Sequence, residues 1–137
     1  MRLALAIALA AACLPAAAQT MEPGEWQFDS TMTSPTLPKP QSATITQCVS
    51  KAEAEDATRF TGKDQSADCQ VTPGSRTADS YSWTLSCPQQ GMRGAGKARF
   101  GRDTIDSEVQ MTVEMQGQKM EMTSRTAGRL LGPCRTK

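Results

Sequence analysis

Four thioethers stand near the end of the chain, Met111 and Met115 before a glycine-containing break and Met120 and Met122 after it. Thioether sulfur is a soft donor that selects copper(I), so this group is the sharpest candidate for metal chemistry. Cys48, Cys69, Cys87 and Cys134 offer further sulfur, and Cys13 lies inside an apolar leader. The sequence contains no histidine, which removes the commonest general base and activator of nucleophiles. It has no Gly-x-Ser-x-Gly elbow, phosphate-binding glycine loop or clustered carboxylate pair at a strand end. Gly91-Met92-Arg93-Gly94-Ala95-Gly96 is glycine-rich but opens a strand, where glycine lets a sheet bend or admits a large neighbour. These residues point to binding, with no catalytic residue and no cofactor.

The methionines acquire a common direction from the strands that carry them. From Met92 to Leu130 apolar and polar residues alternate, which divides into strands Met92–Phe100, Thr104–Met115 and Met120–Gly128. With Arg102-Asp103 as a loop, Phe100 faces Ile105, Ala98 faces Ser107 and Gly96 faces Val109. The same register sets Arg99 against Asp106 and Lys97 against Glu108, two favourable pairs. With Gly117-Gln118 as the next loop, a type II′ turn, Met115 faces Met120 and Val113 faces Met122. Ile105, Val109, Met111, Val113, Met115, Met120 and Met122 then share one face. On the other, Glu114 meets Glu121, a mildly unfavourable pair that Lys119 relieves.

The N-terminus fixes the compartment. Arg2 precedes an apolar run, Leu3 to Ala12, and Ala16-Ala17-Ala18 supplies the small residues of a cleavage site. Residues 1–18 therefore read as a secretory signal peptide. Lipidation of Cys13 is the weaker alternative, because Ala10 stands where a large aliphatic residue is usual. No second hydrophobic segment is present, so no transmembrane segment is expected. The 15 basic and 14 acidic side chains come into balance once Arg2 leaves with the leader. Such a balance gives no ground for an anionic membrane surface as partner, and no nucleic acid is expected; a small apolar ligand or an envelope component is the kind of partner left.

Cys48, Cys69, Cys87 and Cys134 read as a disulfide framework in an exported chain. Strand geometry separates the three possible connectivities. Cys69 and Cys87 bracket a hairpin in which Val71 faces Leu85 and Pro73 faces Trp83, leaving Cys48 for Cys134.

Residues 19–137 read as a single disulfide-stapled β-rich domain. Glu25–Met32 alternates with Trp26, Phe28 and Met32 on one face; the prolines of 34–41 make a loop; Ser42–Cys48 is a β-branched strand without a clear buried face. Ser50 and Glu53 form a capping-box pattern, and a short helix runs on to Phe60 before a polar linker at 61–68. Tyr81–Cys87 carries Tyr81, Trp83 and Leu85 on one face. The fold class is mainly β (α+β): a strongly curled antiparallel meander of about seven strands, or a partly open barrel, with one short helix. Its concave face carries Trp26, Phe28, Trp83, Phe100 and the methionines.

Several local patterns together resemble a known family. They are Met21-Glu22-Pro23-Gly24-Glu25-Trp26 after the leader, Gln47-Cys48-Val49 and the Cys69…Trp83…Cys87 hairpin. To these add Gly91-Met92 with Gly94 and Gly96, the methionine hairpin and the closing Gly132-Pro133-Cys134. Their order resembles the exported bacterial proteins grouped as domain-of-unknown-function family 3617. The resemblance implies export to a Gram-negative periplasm, disulfides and one domain, and it transfers no catalytic residue.

The expected function is a non-catalytic periplasmic binding or envelope-associated module. A methionine-thioether copper(I) binder is one alternative. A carrier of a lipid or other small apolar ligand is the other, with Met111, Met115, Met120, Met122, Trp26, Trp83 and Phe100 facing that ligand. The bland account of the same methionines is that they fill irregular core space.

Overall fold

A computed structural model describes residues 21–55 and 68–135. Seven strands build one antiparallel sheet: β1 (Gly24–Thr33), β2 (Gln41–Val49), β3 (Gln70–Arg76), β4 (Ser80–Cys87), β5 (Met92–Phe100), β6 (Thr104–Met115) and β7 (Gln118–Gly132). Their order across the sheet is β2-β1-β7-β6-β5-β4-β3. Strands β3 to β7 form a simple meander, and the last strand then pairs with the first. The break falls between β2 and β3, which are the two edges, so the sheet is not closed. Among the described residues the fold is therefore mainly β, antiparallel and incompletely closed, with one short α-helix.

That helix, α1 (Lys51–Glu55), begins where the capping box places it. The Ser50 N–H donates to Glu53 Oε2 at 2.8 Å, and the Glu53 N–H donates to Ser50 Oγ at 3.3 Å, satisfying two free donors of the first turn. The expected extension to Phe60, most of the polar linker and the leader with Cys13 lie outside the described residues.

The β5–β6 hairpin has the expected register, from Met92 opposite Val113 to Phe100 opposite Ile105. The β6–β7 hairpin differs from expectation. Its loop is Gln116-Gly117, so Met115 pairs with Gln118, Val113 with Met120 and Met111 with Met122. Both loop residues have positive φ, 52° and 76°, as in a type I′ turn, whose twist matches that of the flanking strands. The corrected register also removes the like-charge pair: Glu114 meets Lys119, and Glu121 meets Thr112. Pairing has moved by two residues, an even number, so every side chain keeps its face. β7 starts earlier and ends later than expected, and β1 pairs with it from Thr123 to Gly132.

One face of the sheet holds the core. Trp26, Phe28, Tyr81, Trp83, Ala98, Phe100 and Ile105 pack there with Val49, and Met21 and α1's Ala54 join the same cluster. Large side chains fit because small ones stand beneath them. A Cβ on Gly96 would overlap the Trp83 indole, and one on Gly128 would overlap Ile105 and the Phe28 ring. Each fully buried large apolar side chain contributes roughly 1.5–3 kcal/mol relative to exposure. A smaller cluster, Leu85, Cys87 and Met92, continues the core along β4 and β5. Disulfides join Cys69 to Cys87 beside this cluster and Cys48 to Cys134 at the other end, with Cα separations of 4.1 and 5.3 Å. In the chain-entropy picture the shorter loop contributes about 3 kcal/mol and the longer about 4–5 kcal/mol.

Candidate binding surface

Exposure rises steadily along β6 and β7 away from the core. Ile105 is buried, Val109, Met111 and Val113 are half-buried, and Met115 is 62% exposed. On β7, Gly128 is buried, Met122 is half-buried and Met120 is 38% exposed. Sheet geometry accounts for the gradient. β1 ends opposite Thr123, so the stretch of β7 carrying Met120 and Met122 has only β6 beside it. Ala54 and Met21 pack in the cluster that holds Trp26 and Val49, far along the sheet from the hairpin tip.

The thioethers are nevertheless neighbours. Met111 and Met122 are direct cross-strand partners, and Met120 and Met115 stand two and four pairs nearer the tip on the same face. Directly opposed Cβ atoms lie about 4.5–5.5 Å apart and diagonal neighbours about 7–8 Å, within reach of a side chain as long as methionine. Met111 and Val113 also pack against Leu85, Cys87 and Met92, so the patch is continuous with the core while remaining open to solvent. Met32 at the end of β1 is half-buried on the same face. Trp26, Trp83 and Phe100 have a different fate: all three are buried in the core cluster. The structure therefore divides the candidate ligand-facing residues into an interior aromatic group and a more exposed methionine group.

The reverse face is polar. A groove of about 780 Å³ runs across it, lined by Asp29, Lys97, Arg99, Asp106, Glu108 and Arg125 among others. Arg125 Nε donates to Glu108 Oε2 at 2.8 Å, and Lys97 Nζ lies 3.8 Å from Oε1. This hydrogen bond from Arg125, helped by the charge of Lys97, holds the Glu108 carboxyl below its ordinary value of 4.5. Asp29 is lowered too, chiefly because Thr44 Oγ1 donates to it, with further help from Gln27. The charges pair along the ladder, so the groove presents no excess of either sign. Arg125 was not legible as Glu108's partner, because it depends on the β6–β7 register.

Two buried indoles are treated differently. Trp26 Nε1 donates to the Glu22 carbonyl at 2.8 Å, whereas Trp83 Nε1 is buried with no acceptor among the described residues. The Trp83 ring stacks on Tyr81, with centroids 5.5 Å apart, and lies over Gly96. Its burial is apolar, and the orphan donor is a cost the packing absorbs. Cys48, Cys69, Cys87 and Cys134 are all bridged and cannot act as thiolates. Among the described residues no helix is long and apolar enough to cross a membrane.

A family model described as "Protein of unknown function (DUF3617)" matches residues 21–134. Neither the curated proteins nor the solved structures contain a match.

Proposed function

The chain belongs to the DUF3617 family, and from that premise we propose a non-catalytic binding module that acts in the periplasm and takes apolar polypeptide segments on its methionine patch. The observation that carries this reading is the exposed Met115 and Met120 at the open end of a sheet whose aromatic core is buried elsewhere. Flexible, polarisable methionines suit a surface that adapts to its partner. Two disulfides fit an oxidising compartment. A polypeptide is favoured over a lipid surface by charge: Glu114 and Glu121 flank the tip with Lys119, leaving no basic collar for anionic headgroups.

A leucine-faced amphipathic peptide and phosphatidylglycerol-containing vesicles are the two probes that test this. Peptide binding at micromolar Kd, weakened about tenfold or more in Met115→Glu/Met120→Glu at unchanged folding, is the expected result. Vesicle binding without peptide binding, or peptide binding indifferent to the substitutions, overturns it. A second reading comes from the direct pairing of Met111 with Met122 beside Met120, a set of thioethers suited to copper(I). Silver(I) titration followed by Met111→Leu/Met122→Leu distinguishes it, since leucine preserves an apolar patch and removes the donors.

A further inference from the structure

The two edges of the sheet are built unlike one another. β3 is short, carries Pro73 and Gly74, breaks register between Pro73 and Arg76, and ends on that arginine. Proline, a bulge and a terminal charge are the usual devices that stop an edge from templating another strand. β2 has none of them. Its nine residues, Gln41–Val49, contain no proline and no charge, and the eight from Gln41 to Cys48 are exposed. β1 covers one side of this strand through an unbroken ladder from Val49 to Gln41. Among the described residues no strand lies along its other side, so the backbone donors and acceptors there have no ladder partner.

We infer that β2 is the seat of a symmetric dimer, in which β2 of a second copy pairs antiparallel along this edge. The sequence suits that partner. Thr44-Ile45-Thr46 reads the same in both directions, so a twofold axis at Ile45 sets Ile45 against its own copy and each Thr44 against the other chain's Thr46. β-branched residues opposed in this way stabilise an antiparallel pair. Within Gln41–Val49 a twofold contact brings no like charges together, because the strand itself carries none. Ile45, 56% exposed and on the face that carries the core through its partner Phe28, gains an apolar neighbour. The guarded β3 edges then lie at the two outer ends of a joined sheet, so assembly stops at two copies instead of continuing as a filament.

Sedimentation equilibrium of the full chain with both disulfides formed tests this, together with Ile45→Glu, Ile45→Lys and an equimolar mixture of the two. The expected result is a dimer for the native sequence and about tenfold or weaker self-association for each variant, since like charges meet at the axis. Mixing the two variants restores a dimer, because Glu then faces Lys; Thr72→Glu on the opposite edge leaves the mass unchanged. A monomeric native chain, dimers that persist in the single variants, or a mixture that stays monomeric overturns the assignment. Near-UV circular dichroism verifies that each variant is folded.

Discussion

Gly96 and Trp83 show how tightly single residues are matched in this core. Because a Cβ at 96 would overlap the indole, Gly96→Ala forces the ring to move and costs about 1–3 kcal/mol; urea titration followed by tryptophan fluorescence measures it. The two tryptophans make a paired test. Trp26→Phe removes a hydrogen bond to the Glu22 carbonyl, whereas Trp83→Phe removes a donor with no acceptor among the described residues. Trp26→Phe is therefore the more destabilising by about 1 kcal/mol, read from the same urea midpoints. Only part of this was legible in the sequence. Alternation put Gly96 on the apolar face and suggested room for a large neighbour, but which ring lies over it depends on rotamers and on the pairing of β4 with β5. The aromatic residues announced a core; their availability to a ligand did not follow, because burial depends on what covers the sheet.

Elements were more legible than contacts, and the β6–β7 hairpin shows where sequence reasoning ends. Gly117 can serve a two-residue loop in either position, so glycine alone leaves the register open. The deciding signal was electrostatic: one register opposes Glu114 to Glu121, and the adopted one opposes Glu114 to Lys119. The adopted loop puts Gln116 at φ 52°, a conformation that asparagine tolerates better than glutamine. Gln116→Asn is expected to stabilise the hairpin by about 0.5–1 kcal/mol, a rise of about 2–4 °C in Tm by calorimetry. On the reverse face, Glu108 links β5, β6 and β7 through Lys97 and Arg125. Its carboxyl is depressed in the folded state, so this contribution is fully present above its ordinary value of 4.5 and fades as pH falls through the lower folded value. The stability difference between the native chain and Glu108→Gln accordingly shrinks as pH is lowered below 4.5 and is constant above it, as urea midpoints across pH would show.

At the scale of the molecule, a seven-strand sheet closes its own order by pairing last strand with first, yet leaves β2 and β3 apart. Unequal strand lengths decide what each end of the sheet can do. Near Trp26, Met21 and Ala54 contribute to a buried cluster; at the far end the β6–β7 hairpin outruns β1 and carries its methionines into solvent. Alternation in the sequence foretold which side of the strands the methionines occupy, but it was silent on whether that side is covered, a property of the assembled layers. The same limit applies to β2, whose lack of a buried face was visible as an ambiguous pattern and whose edge position became clear only from the strand order. The central claim, that the methionine end is an accessible surface for an apolar polypeptide, is tested most directly by peroxide footprinting of methionine with and without the leucine-faced peptide. Exposure predicts fast sulfoxide formation at Met115 and Met120, slow formation at the buried Met21 and Met92, and protection of the fast pair when the peptide is added. Equal rates at all four methionines, or fast rates at Met115 and Met120 that saturating peptide leaves unchanged, would contradict the account.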